Sequence, residues 1–256
     1  MKFSTKAAFL YLFASFFLFS CVSRKKLVYL QDIDNQKNYD SSLRYEPTLQ
    51  PDDLLNVIVS AENPEVTVPF NLPQIQGNYQ LNENQSNIKT YLIDNDGFIE
   101  FPVIGKVKLG GLTRSQAIST LADKVSFYIK NPSINLRILN YKISILGQVS
   151  KPGSYTIPSE RITILEALSL SGDLTLYGKR NNILLIHEEE GKKTYTRIDL
   201  TKVDILNLEN YYLAQNDIIY VEPNKTAINS SAVGPNTALY LSGLTVILSL
   251  ILVLKN

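Results

Sequence analysis

The chain has a single cysteine, Cys21, and this residue lies two positions after an apolar stretch at Ala7–Phe19. One cysteine cannot form an intramolecular disulfide, so the fold has to be stabilised by packing alone. The apolar stretch is shorter than the roughly 20 residues that a spanning helix needs, and Lys2 and Lys6 precede it. This pattern is typical of a secretory signal peptide, which we place at residues 1–20.

The residues Leu18-Phe19-Ser20-Cys21 resemble the lipobox of bacterial lipoproteins, in which a small residue precedes an obligatory cysteine. We therefore expect lipidation of Cys21, because a diacyl or triacyl cysteine carries the two or more chains that stable anchoring takes. The alternative is an ordinary signal peptide followed by a free or buried cysteine. Residues 21–44 are mainly polar, and we interpret them as a lipidated tether that is partly docked on the fold.

The charged residues argue against nucleic-acid binding, because 25 Lys and Arg balance 24 Asp and Glu and are scattered along the chain. The only histidine, His187, cannot form a His-rich metal site by itself. It stands beside Glu188 in a strand-like run, where an exposed strand end is a simpler interpretation than a general base. There is no phosphate-binding loop and no metal-ligand spacing. We predict no catalytic residues, no metal and no cofactor.

Strand-like runs and helical periodicity alternate along the chain, which predicts an α+β fold. A buried strand is expected over Leu54–Val59, and two helices over 112–129 and 163–171 each begin with a capping box. Two strand-like runs follow the first helix, at Ile134–Leu139 and Lys142–Leu146. Two hairpins and a last strand complete the predicted elements. These are Tyr91–Ile93 with Phe98–Phe101 around Asp94–Gly97, Ile183–His187 with Thr194–Ile198, and Ile218–Val221.

Two short segments far apart in the chain repeat the same pattern. Leu, Asp, two aliphatic residues and Val recur at equal offsets from Leu49 and from Leu213, so that Asp53 corresponds to Asp217. The match predicts two related turns, each opening a strand.

The carboxy-terminal part changes character twice. Residues 224–236 are polar and are interpreted as a linker. Residues 238–254 carry no charge, and as a helix they would be about 25 Å long, close to the thickness of the hydrocarbon core. We predict a transmembrane helix there. Its polar residues Ser242, Thr245 and Ser249 share one helical face and are predicted to face a lumen, whereas a plain anchor with incidental hydroxyls is the alternative.

Four motifs between Tyr45 and Pro223 resemble those of the outer-membrane polysaccharide export proteins (Wza-like). They are Gln50–Val59, Asp96–Val107, Asn131–Ile134 and Gly147–Tyr155. The motif residues whose backbone geometry matters most are Pro51, Asp53, Gly97, Pro102, Gly105, Gly147, Pro152 and Gly153. Asp52 and Asp173 stand where the family usually has glycine. We expect Gly105 and Gly153 to lie in turns with positive φ.

The resemblance implies a polysaccharide export domain at 45–140 and a soluble-ligand-binding β-grasp domain at 143–222. It also implies a homo-oligomeric ring that is lipid-anchored to the outer membrane, with its body in the periplasm. Capsular or exopolysaccharide would pass through the ring passively, and the inner-membrane partner would be a chain-length regulator or co-polymerase. A monomeric periplasmic glycan-binding lipoprotein is the rival interpretation. A glycan-cleaving enzyme would need two carboxylates that face one cleft.

Overall fold

The computed structural model describes residues 25, 27–35, 45–72, 90–189 and 191–232, and then 240, 242, 243, 245–247 and 249. Within these residues the chain forms two hydrophobic cores, one drawn from Leu49 to Leu136 and the other from Tyr141 to Val221. We call the parts around them the first unit and the second unit. Strands and helices contribute to both cores, so the predicted α+β class is confirmed.

A three-stranded antiparallel sheet underlies the first unit. Its central strand β1 (Leu54–Ser60) lies between β2 (Tyr91–Leu92) and β5 (Ser133–Ile138). Alternate side chains of β1 are buried, as the two-residue period of a strand requires when one face covers a core. A 3-10 helix at Pro64–Phe70, which the sequence pattern did not predict, follows β1 and contributes Phe70 to the same core.

Helix α1 (Arg114–Ser126) completes the first core, within the range predicted from periodicity. The predicted capping box is present: the Thr113 hydroxyl accepts from the Gln116 N–H, and the Gln116 side chain accepts from the Thr113 N–H. Its apolar stripe faces the sheet through Ala117, Leu121 and Val125.

The hairpin predicted between Tyr91–Ile93 and Phe98–Phe101 is wrong in its partner. Strand β3 (Phe98–Phe101) pairs with β4 (Gly105–Lys108), whereas β2 pairs with β1. The turn itself is formed, since the Gly97 N–H donates to the Asp94 carbonyl at 2.9 Å. The short strand β2 is drawn into the sheet because its buried Tyr91 packs into the first core.

The second unit is a mixed five-stranded sheet in the order β7-β6-β10-β8-β9. The strands are β6 (Lys142–Gly147), β7 (Gly153–Thr156), β8 (Gly178–Glu189), β9 (Lys192–Ile198) and β10 (Ile218–Pro223). Helix α2 (Ile164–Leu170) begins at the predicted capping box of Thr163 and Glu166. The hairpin predicted from Ile183 to Ile198 is confirmed as β8–β9.

Strands β6 and β10 are parallel neighbours, and this fixes the polarity of the second unit. Both begin beside the first unit, at Lys142 and Ile218, and both run away from it. We call these two ends of the second unit the junction end and the distal end. Strand β10 is the last strand of the sheet and ends at the distal end, so the chain leaves the sheet there.

The segment after β10 begins with a helix α3 (Lys225–Ala232), which occupies most of residues 224–236, where a linker is predicted. The described residues from 240 to 249 are also helical. Among all described residues, no helix has both the length and the apolar character needed to cross a bilayer. Much of 238–254 lies outside the described residues, as do residues 1–24 with Cys21.

Part of the predicted tether docks on the second unit. The backbone N–H groups of Leu30 and Gln31 donate to the carbonyls of Leu200 and Thr201 at 3.1 and 2.8 Å. The Tyr29 hydroxyl donates to Asp173, and its ring packs against the second core. The tether therefore approaches the fold on the second unit, before the chain enters the first.

Candidate functional site

The two turns predicted from the sequence repeat have the same structure. The Asp53 carboxylate accepts the Gln50 N–H at 2.8 Å, and the Asp217 carboxylate accepts the Ala214 N–H at 2.8 Å. Both carboxylates are buried. Each aspartate closes a loop of three residues in front of a central strand, β1 or β10, so the prediction of two related turns is confirmed.

The residue before each aspartate has a left-handed backbone. Asp52 has φ 69° and Asn216 has φ 66°. Asp and Asn tolerate this region better than other residues with side chains. This explains how Asp52 occupies a position where glycine is usual, and Asp173, at φ 66°, does the same in the second unit.

Two amide side chains join these turns across the boundary between the units. Asn140 accepts from the Leu54 N–H and donates to the Asp52 carbonyl, both at 2.8 Å. Gln215 accepts from the Lys142 N–H at 2.7 Å and donates to the Asn140 carbonyl at 2.9 Å. The strands that open the two cores are therefore held at one shared polar junction. Sequence reasoning missed both amides because their partners are far away in the chain.

The two buried aspartates differ in their partners. One oxygen of Asp217 lies 2.6 Å from His187 Nδ1, whereas Asp53 Oδ1 has no hydrogen-bond partner among the described residues. The sequence interpretation of His187 as an exposed strand end is thus wrong, because the ring packs over the Asp217 turn. Burial raises the pKa of both carboxyls, and that of Asp53 reaches about 6.

We expect Asp53→Asn to become progressively more stable than the wild type as the pH rises from about 4 to about 6. The folded-state pKa near 6 exceeds the ordinary value of 3.8. Within this window the carboxyl ionises in the unfolded chain while it stays protonated in the folded one, so the wild type loses stability as the pH rises. The difference should approach about 3 kcal/mol. Asparagine keeps an oxygen for the Gln50 N–H but cannot ionise.

Urea unfolding at intervals between pH 4 and pH 7 measures this difference. Asp52→Asn is the graded control. Its exposed carboxylate is one of the charges that raise the pKa of Asp53, so its removal should shift the pH profile slightly to lower pH without abolishing it. A constant difference between Asp53→Asn and the wild type across the range would contradict the expectation.

An open cleft of about 750 Å³ lies beside the junction and is lined by both units. Its lining includes Pro51, Asp96, Gly97, Lys108, Glu188 and Asn216. These groups can hydrogen-bond a polar chain. Asp96 and Glu188 are both exposed, and Glu188 pairs with Lys193 at 3.5 Å. They lack the burial that turns one carboxyl of a pair into a general acid.

The motif glycines of the first unit allow close backbone contact. A Cβ atom on Gly110 would lie 2.6 Å from the Gly97 Cα, and Gly97 has φ +84°. Gly105 has φ +82° at the turn after Pro102, as predicted. Gly110 has no place among the predicted motif residues, although its partner Gly97 does. The two glycines meet where the hairpin begins and ends, before β3 and after β4.

The remaining predicted site residues lie away from the junction and the cleft. Gly147 ends β6 at the distal end with φ +88°, and Pro152 is exposed just before β7. Gly153 is not left-handed, so that expectation is wrong: it is the first residue of β7. Ser242, Thr245 and Ser249 are exposed and helical. Within the described part of the chain, no group of three or more His, Cys, Asp or Glu could hold a metal ion.

Comparison with known proteins assigns both units. Residues 41–139 match the family of polysaccharide biosynthesis/export proteins, and residues 141–221 match the SLBB domain. The EPS I polysaccharide export outer membrane protein EpsA of Ralstonia solanacearum is 25% identical over 199 residues, which make up 75% of this chain and 52% of that protein. Its counterpart in Ralstonia nicotianae is 26% identical over 200 residues, with the same coverage. The chain spans about half the length of these curated relatives.

Proposed function

Because this chain belongs to the family of polysaccharide export proteins, we propose that it helps to carry a capsular or exopolysaccharide to the cell surface through the outer membrane. One observation carries the proposal: the region that matches the export family and the region that matches the SLBB domain are separated by a single residue. The junction of Asn140 and Gln215 supports their action as one body.

The proposed attachment is to the outer membrane, with both units in the periplasm. Lipidation at Cys21 supplies one anchor, and a transmembrane helix at 238–254 supplies the other. The export domain at 45–140 then lies deeper in the periplasm than the β-grasp domain at 143–222. This order follows from the parallel strands β6 and β10, which start at the first unit and end where α3 departs.

The proposed working form is a homo-oligomeric ring around an aqueous passage. No bond is made or broken; polymer synthesis and an inner-membrane chain-length regulator or co-polymerase supply the driving force. The cleft carboxylates of Asp96 and Glu188 are exposed, and Glu188 is ion-paired, which is in keeping with a role that is not catalytic.

Deletion of the gene tests the export function. We expect surface polysaccharide to disappear while polymer accumulates in the periplasm, with recovery on expression of the intact chain. Unchanged surface polymer would contradict the proposal. Size in mild detergent separates the two architectures: a ring has many times the protomer mass, whereas a glycan-binding lipoprotein would run as a monomer.

For the terminal helix we propose that Ser242, Thr245 and Ser249 face the passage. The hydroxyls of Thr245 and Ser249 donate to carbonyls three residues earlier, at 2.7 and 2.8 Å, which also suits a plain anchor. Cysteine at each position should react with a water-soluble thiol reagent, whereas cysteine at Leu244 or Leu248 should not. Equal labelling at all five positions would leave only the anchor.

A further inference from the structure

An apolar loop is displayed at the distal end of the second unit, between α2 and β8. Leu176 is 73% exposed and its neighbour Tyr177 is 50% exposed. Isolated exposed apolar residues are ordinary on protein surfaces. These two, however, are adjacent and stand at the tip of a loop whose backbone is firmly held.

Hydrogen bonds from Arg180 and Asn224 hold the backbone of the loop. The buried Arg180 guanidinium donates to the carbonyls of Leu174, Thr175 and Gly178 at 3.1 to 3.3 Å. Asn224 uses its side-chain amide and its backbone N–H to bind the carbonyls of Leu176 and Tyr177, at 2.9 and 2.8 Å.

All five carbonyls from Leu174 to Gly178 therefore have protein donors. An element that lies against hydrocarbon needs this arrangement, because no water is present there to satisfy backbone groups. A loop built only for solvent would not need it. The apolar side chains are thus presented on a surface whose backbone carbonyls are already satisfied.

Both proposed membrane attachments start next to this loop. Tyr29 is bonded to Asp173, three residues before Leu176, and Cys21 lies eight residues before Tyr29 in the chain. Eight extended residues reach at most about 28 Å. On the other side, Asn224 both binds the loop and starts α3, which leads towards residues 238–254.

We propose that the Leu176–Tyr177 loop lies against the periplasmic lipid surface of the outer membrane. Leu176 enters the acyl boundary, and Tyr177 takes the interfacial position that amphipathic aromatic rings favour. The inference rests on the proposed function through its anchor at Cys21. The loop then acts as a third contact that fixes the tilt of the second unit on the bilayer.

Fluorescence quenching by nitroxide-labelled lipid tests the contact on the full chain in phosphatidylethanolamine–phosphatidylglycerol vesicles. The probe is attached through Leu176→Cys, through Phe127→Cys as the control, or through Lys25→Cys as a reference near the anchor. Phe127 is 86% exposed at the end of α1, in the first unit. Acylation occupies the native thiol. We expect severalfold stronger quenching at position 176 than at 127, and strong quenching at 25.

Each other result overturns the contact and points to a distinct cause. Quenching at 25 with equal, weak quenching at 176 and 127 removes the loop contact but leaves the anchor. Absence of quenching at all three positions removes the anchor as well. A probe at 176 that is shielded from an aqueous quencher but untouched by the lipid quencher shows that a second copy of the chain covers the loop instead.

Discussion

Gly147→Ala should strongly destabilise the second unit. An added Cβ would lie 2.1 Å from the Val221 carbonyl oxygen and 3.0 Å from its carbon, and both are backbone atoms of the neighbouring strand β10. The left-handed conformation at φ +88° adds about 1–3 kcal/mol for a residue with a side chain. Overpacking costs a further 1–3 kcal/mol or so, and more where backbone must move.

A loss of about 4 kcal/mol or more is a large part of the roughly 5–15 kcal/mol that stabilises a typical domain. Gly153→Ala is the matched control from the same motif. No heavy atom lies within 4 Å of its added Cβ, and its backbone is not left-handed, so the change should stay within about 0.5 kcal/mol. Urea unfolding followed by circular dichroism compares them. Equal midpoints for the two variants would refute this account of Gly147.

Cys21→Ser should abolish fatty-acid incorporation completely. The chain has no second cysteine, so no other thiol can form the thioether that precedes acylation. The protein should then persist with residues 1–20 uncleaved or be released in soluble form. The physical reason is that two acyl chains give stable anchoring, whereas the unacylated tether has no comparable membrane affinity.

Metabolic labelling with a fatty acid, followed by fractionation, measures both effects. Ser23→Ala alters the same segment and keeps the thiol, so it should label like the wild type. Label that persists in Cys21→Ser would rule out this modification site. Membrane association that persists without label would instead assign retention to residues 238–254.

Features that depend on residues close together in the chain were predictable from the sequence. Both capping boxes, at Thr113 and Thr163, lie within four residues of their partners, and both helices start where these boxes predict. The repeated turns at Asp53 and Asp217 were also recognisable, because a buried aspartate that accepts an N–H three residues earlier leaves a short, fixed spacing.

Contacts between distant residues were not recognisable. Strand β2 pairs with β1, some forty positions earlier in the chain, and is therefore not available as the partner of β3. Hydrophobic periodicity describes single elements and does not encode such a long-range pairing. His187 meets Asp217 across 30 positions, and Asn140 meets Leu54 across 86. At Gly153 a local motif was misleading. The motif suggested a turn with positive φ at Gly153, whereas the glycine with positive φ is Gly147.

The parallel pair β6 and β10 also has a mechanical consequence. The first unit is connected to the start of β6, and α3, which we propose leads to the membrane, is connected to the end of β10. Tension between the cell envelope and the first unit therefore pulls these neighbours in opposite directions along their shared axis. The ladder from Ser144–Ile218 to Gly147–Val221 is loaded in shear, so its rungs resist together and do not unzip one after another.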